Sequence, residues 1–158
     1  MTGVVVLAAA LAVAAGLALL RRARDGRVRP VAAASDAAAV DPHLAALVPE
    51  PGERATLLQF SSAFCAPCRA TRSLLAEAAR VVPGVRHVEV DAESHLEAVR
   101  ALDVRRTPTV LVLDGDLRVI RRASGQPRRD EVLAALESAV GPGPRSAARQ
   151  GRQDGAVA

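Results

Sequence analysis

The sequence has no lysine, no tryptophan and no tyrosine, and only two phenylalanines and two cysteines in 158 residues. Any core must therefore be built from Val, Leu, Ile and Ala. Two cysteines exclude a disulfide-stapled scaffold and, by themselves, a four-cysteine zinc site. Without lysine, the net charge of +4 rests on arginine alone. Fourteen of the 21 arginines fall in a run at 21–29, in the pairs 105–106, 121–122 and 128–129, and in the C-terminal tail. No aromatic residue alternates with them and no nucleic-acid motif organises them, so nucleic acid is not an expected partner. Solvated surface and attraction to anionic lipid account for them better.

Charge is also missing from residues 1–20, while five arginines follow at 21–29. At about 1.5 Å per residue, a helix over 1–20 reaches roughly 30 Å, the thickness of a bilayer's hydrocarbon core. A cleaved signal peptide would want positive charge ahead of the apolar run, and no Lys or Arg precedes it. The expectation is a single transmembrane helix over 1–20. The excess of arginine after it places the rest of the chain in the cytoplasm by the positive-inside rule, with an outward-facing domain as the alternative. Residues 21–52 read as a basic flank and flexible linker, with one short helical turn near Pro42–Val48. Residues 141–158, with a Gly/Pro start and no apolar repeat, read as a disordered tail. This leaves 53–140 as one small domain and excludes a multidomain enzyme.

Within 53–140 the pattern changes every few residues. Ala55–Phe60 is a short apolar run suited to a buried strand. Cys65–Val82 carries apolar residues at helical spacing and stops at Pro83-Gly84. Val85–Val90 reads as a strand, Ser94–Leu102 as a helix and Thr109–Leu113 as a strand. Asp114-Gly115 signals a hairpin to a partner strand at Leu117–Ala123. Arg128–Val140 closes as a helix. The fold class is α/β, a mixed sheet flanked by helices, because the early βαβ unit implies a parallel pair and the hairpin an antiparallel one.

Both cysteines lie in one motif, Phe64-Cys65-Ala66-Pro67-Cys68-Arg69, just after a strand and opening a helix. A thiolate at a helix N-terminus faces unpaired backbone N–H groups and the positive end of the dipole, which lower its pKa. A separation of three residues puts the second sulfur one turn on. Pro67 suits the first turn, where its missing N–H costs nothing. Cys65 is the expected attacking thiol and Cys68 the resolving one. A zinc half-site would need two further ligands, and His43, His87 and His95 show none of the usual paired spacing. A purely structural disulfide closes a loop too small to constrain much.

The segment Leu58–Arg69 (LQFSSAFCAPCR), followed some forty residues later by Arg106-Thr107-Pro108-Thr109, resembles the thioredoxin family over roughly 53–140. The resemblance implies a thioredoxin-like fold in which Pro108 is cis and packs beside the two sulfurs. Thr107 would offer its backbone to an extended substrate segment, and Gly125 would let substrate approach closely. Phe64, Ala66 and Pro67 would complete the substrate-binding surface. The chain departs from the family in having Phe64 where Trp is usual and Ala66 where Gly is usual. The buried Asp that assists proton transfer at the second cysteine corresponds to Gln59, and its Lys partner to His87. Gln59 and His87 are accordingly candidate proton-transfer residues, with Gln59 orienting His87 by a hydrogen bond.

The resulting expectation is a thiol–disulfide oxidoreductase reducing protein disulfides through Cys65 and Cys68. Its only cofactor is the redox-active pair itself, with no metal, and its electron donor resembles thioredoxin reductase. Extracytoplasmic exchange (disulfide formation or cytochrome maturation) and a substrate-holding module with little turnover are the alternatives.

Overall fold

The structure, a computed structural model, describes residues 2–31 and 40–140, with the side chains of 21–24 left aside. A first helix, α1 (Thr2–Arg24), carries the apolar N-terminus. After it come β1 (Arg29–Pro30), α2 (Pro42–Leu47), β2 (Ala55–Ser61), α3 (Ala66–Val81), β3 (Val85–Asp91), α4 (Leu96–Ala101), β4 (Thr109–Asp114), β5 (Val119–Ser124) and α5 (Arg129–Val140). The strands form one sheet in the order β1-β5-β4-β2-β3. β2 and β3 run parallel and every other neighbouring pair antiparallel, which is the mixed sheet expected from the pattern.

Alternation along β2 and β4 divides the core between two faces. Ala55, Leu57, Val110 and Val112 point to one side and meet Leu75 and Ala78 of α3 and Val132, Ala135 and Leu136 of α5. Leu58, Phe60, Leu111 and Leu113 point to the other and meet Leu44 and Val48, with Val99 and Leu102 packed alongside. Both strands are buried along nearly their whole length, so they occupy the middle of the sheet.

Three boundaries differ from the sequence reading. The stretch 21–52 is not a slack linker throughout. α1 continues to Arg24, β1 joins the sheet edge, and Leu44 and Val48 are core residues at 2% and 1% exposure, so the domain begins well before residue 53. Asp41 caps α2 by accepting from the His43 N–H at 2.8 Å, which makes Pro42–Leu47 a true helix rather than a passing turn. In the hairpin, Leu117 is not in the strand but in the turn, at φ +61°. Asp114 Oδ1 accepts the N–H groups of Asp116 and Arg118, widening the turn beyond two residues, and β5 starts only at Val119. The region expected to be a disordered tail, 141–158, lies outside the described residues.

Thr2–Leu20 is one helix long and apolar enough to cross a membrane, and none of it is buried against the domain. A membrane span and a signal sequence share that character.

Candidate redox site

The site is assembled where β2 ends and α3 begins. Cys65 is the N-cap of α3, with Ala66 and Pro67 in the first turn. Cys65 and Cys68 are joined in a disulfide with Cα atoms 5.2 Å apart. The Cys68 N–H points at Cys65 Sγ from 3.2 Å. A thiolate released at Cys65 therefore inherits a backbone donor and the N-terminal end of a 16-residue helix, both of which favour the anion. The two sulfurs differ in access. Cys68 is 2% exposed, whereas Cys65 is half-buried at the rim. Phe64, directly before it, is wholly exposed.

The Thr107–Pro108 peptide bond is cis, as expected, and Pro108 is buried. The Thr107 hydroxyl is 3.0 Å from that of Ser62, which ties the loop before β4 to the end of β2. Gly125 donates its N–H to Pro108 O at 2.8 Å and sits at φ +96°. Pro67, Thr107, Pro108, Gly125 and Pro127 line a groove of about 830 Å³, and Asp25 forms part of its wall. The structure thus brings together Pro67, Thr107, Pro108 and Gly125, with the Cys65–Cys68 disulfide on the helical turn that holds Pro67.

Beneath Cys68 the arrangement departs from expectation. Gln59 is fully buried. Its Nε2 donates to Cys68 O at 3.0 Å and to Ser61 Oγ at 2.7 Å, while its Oε1 has no partner. The amide orientation follows from the Cys68 carbonyl, which requires a donor. The parallel register sets Gln59 opposite Glu89, and His87 opposite Leu57. No hydrogen bond joins Gln59 to His87, so Gln59 does not orient the imidazole. His87 is half-buried with its Nε2 unpartnered. Burial holds its pKa below the ordinary imidazole value, against the attraction of Glu89.

Glu89 was missed in the sequence. Its Oε1 accepts from Ser61 Oγ at 2.6 Å and from Arg72 Nη2 at 2.8 Å, and Arg72 Nε takes its other oxygen. The hydrogen bond from Arg72 holds the Glu89 carboxyl below the usual carboxylate range, outweighing its partial burial. Ser61, Cys65, Cys68, Arg72 and Glu89 line a second pocket of about 450 Å³. The strand register was the available signal, since counting along two parallel strands pairs 59 with 89.

Comparison with known proteins agrees with this geometry. The family model for thioredoxin matches residues 42–138, which reaches back to α2. Thioredoxin H5 of Oryza sativa subsp. japonica is 32% identical over 72 residues, covering 46% of this chain and 53% of the rice protein. Thioredoxin H4-1 of the same organism is 27% identical over 81 residues, 51% of this chain and 62% of its own. The chain thus spans a little over half the length of the curated relatives it matches. Among solved structures, Fasciola hepatica thioredoxin superposes with a TM-score of 0.52 at 23% identity, over 61% of this chain and 90% of its own. A Halobacterium salinarum thioredoxin variant gives 0.53 at 18% identity, over 58% and 80%. By fold, motif and family match, the chain belongs to the thioredoxin family.

Proposed function

We propose that the protein is a membrane-anchored thiol–disulfide oxidoreductase that reduces protein disulfides. The observation that carries this reading is half-buried Cys65 at the N-terminus of α3, paired with fully buried Cys68 and two residues from Pro67, which lines the Pro108 groove. The cycle starts from the dithiol. Cys65 thiolate attacks one sulfur of a substrate disulfide, and the other substrate sulfur leaves as a thiolate and takes up a proton. Cys68 then loses its proton and attacks Cys65 Sγ. The second substrate thiol departs, the Cys65–Cys68 disulfide forms, and two electrons have passed to the substrate. A thioredoxin-reductase-like donor returns them.

The anchor is the α1 helix, whose charge asymmetry supports a cytoplasmic domain. A reporter fused after Ala158 and active only inside is the expected result, and moving Arg21, Arg22 and Arg24 to the N-terminus should invert or mix the orientation. For the redox activity, the test is insulin reduction driven by dithiothreitol. Turnover well above the uncatalysed rate is expected, and binding without turnover would reduce the site to a substrate-holding module.

A further inference from the structure

Only Asp25–Val28 separate the apolar helix from the first strand, and this short stretch is docked. Arg106 Nη2 donates to Asp25 Oδ1 at 2.6 Å. The Gly26 N–H donates to Ser124 O at 2.8 Å. Arg29 and Pro30 then pair with Arg122 and Arg121 of β5, and the Val31 N–H reaches Ile120 O at 3.2 Å. Gly26 has φ +78°, and a Cβ there would lie 2.0 Å from Gln126 O. A Cβ on Gly125 would lie 3.0 Å from the Gly26 nitrogen. The chain leaving α1 therefore runs backbone to backbone along the Gly125–Gln126 loop. Arg106 directly precedes Thr107, and Gly125 is bonded to Pro108. The partners that hold the tether are the residues that frame the substrate groove.

From Leu20, the last apolar residue of the run, to Asp25 is five residues. At about 1.5 Å per helical residue that is roughly 7–8 Å, and each headgroup layer of a bilayer is about 5–8 Å thick. A span ending at Leu20 thus delivers Asp25, and the groove wall it belongs to, to the membrane surface. Arg21, Arg22 and Arg24 fall within the headgroup layer, where anionic lipid favours them. A slack tether would let the domain sweep a large volume, whereas this one fixes one side of the groove beside the bilayer.

We propose that the substrates are disulfides lying against the membrane, in juxtamembrane segments of other membrane proteins, which the docked 25–31 segment presents to Cys65. This rests on the membrane-anchored dithiol reading above. The reaction is the same exchange: Cys65 and Cys68 give two electrons and two protons to the substrate disulfide, and dithiothreitol restores the dithiol.

The test uses the full chain in phosphatidylcholine–phosphatidylglycerol vesicles with dithiothreitol. Two single-span peptides carry the same cysteine pair, one next to the bilayer and one beyond a flexible Gly/Ser stalk of about 30 residues. Insulin is the soluble control. The near disulfide should be reduced about tenfold faster than the far one, an effective-concentration effect. A Gly/Ser insertion of about 20 residues between Arg22 and Ala23 lengthens the tether without altering the docked segment. It should bring the near-to-far ratio towards one and leave insulin reduction unchanged. A wild-type ratio near one, with insulin still reduced, overturns this inference and leaves the redox reading standing. Failure to reduce insulin overturns the redox reading and this inference with it. Release of the chain into an alkaline carbonate wash overturns the anchor, and the substrate class falls with it.

Discussion

Gln59 donates its side-chain amide to the carbonyl oxygen of Cys68, fastening the buried cysteine's backbone to the interior strand β2. The same nitrogen donates to Ser61 Oγ, whose hydroxyl in turn donates to Glu89. An amide in this place secures the first turn of α3, but it cannot accept and hold a proton. Glu89, whose Oε1 lies 3.5 Å from the Gln59 amide nitrogen, is committed to Arg72 and so is a poor base near neutrality. In the proposed cycle, Cys68 would lose its proton without a carboxylate at position 59.

Gln59→Asp tests that conclusion. The new carboxylate would share its surroundings with Glu89, whose Oε1 lies 3.5 Å from Gln59 Nε2, and like charges in proximity raise the pKa of one member. A base titrating closer to neutrality would then sit under Cys68. Resolution of a mixed disulfide, followed by stopped flow, should quicken and acquire a pH dependence absent from wild type. Stability should fall by about 1–3 kcal/mol, because Cys68 O loses its donor. An unchanged resolution rate would mean that proton transfer from Cys68 does not limit the step.

The unequal burial of the sulfurs makes a second prediction. In the reduced protein at neutral pH, Cys65 should be alkylated quickly and Cys68 slowly, since only Cys65 lies at the rim beside Phe64. Cys68→Ser should accumulate covalent complexes with substrate proteins, because the attack that resolves them is removed, and Cys65→Ser should not. Mass spectrometry of alkylated peptides and non-reducing electrophoresis read both outcomes. Trapping by Cys65→Ser would reverse the assigned roles.

Much of this arrangement was legible in the chain. β2 and β4 announce themselves as short apolar runs because both their faces are covered, and the cysteine motif carries its own helix N-terminus. What escaped was structure that residue type does not encode locally. Arg29 and Pro30 have no strand character, and their conformation comes from the open edge of β5. Leu44 and Val48 stand four apart in a stretch rich in Ala and Pro, and only tertiary burial shows them to be core. Leu117 continues an apolar alternation yet sits in the turn, because Asp114 gathers the following N–H groups around its carboxylate. Glu89 is one polar residue within a strand-like run, and only the register with β2 sets it opposite Gln59. Apart from the Leu117 turn, which is set locally by Asp114, each miss depends on contact between distant segments, while each success depends on a pattern within one segment.

Acid sensitivity should arise in two steps. Burial lowers the pKa of His87 in the folded protein, so below the unfolded value of about 6.5 the unfolded chain binds more protons. Stability must then decline as pH falls through that region, by linkage. Glu89 is also held low, chiefly by Arg72. Its contribution is present above the unfolded value of about 4.3 and is lost as pH drops through the folded pKa. His87→Gln removes the first step and spares the second. Urea unfolding between about pH 7 and 5 should show a falling midpoint for wild type and a nearly flat one for the variant. Parallel profiles would mean that the imidazole is solvated in solution and that its burial does not govern protonation.

Gly125 supplies the last prediction, because one residue there answers to both the groove and the tether. At φ +96° any side chain is strained, a cost of about 1–3 kcal/mol. In Gly125→Ala the added Cβ would also crowd the Gly26 nitrogen, whose N–H is bonded to Ser124 O at 2.8 Å. Relief requires the 25–26 segment to withdraw or the Pro108 loop to shift. The cysteines are untouched in either case, so alkylation of Cys65 should proceed at the wild-type rate. Protein-disulfide substrates should show a raised KM with kcat little changed, since the altered groove binds ground state and transition state equally less well. The melting temperature should drop by several degrees, at about 4–8 °C per kcal/mol for a domain of this size. Limited proteolysis separates the two routes of relief: new cleavage near Arg24 and Arg27 marks withdrawal of the tether, and its absence places the shift in the Pro108 loop. A variant with wild-type KM and melting temperature would show that neither the groove nor the docked segment depends on the close approach of Gly125 and Gly26.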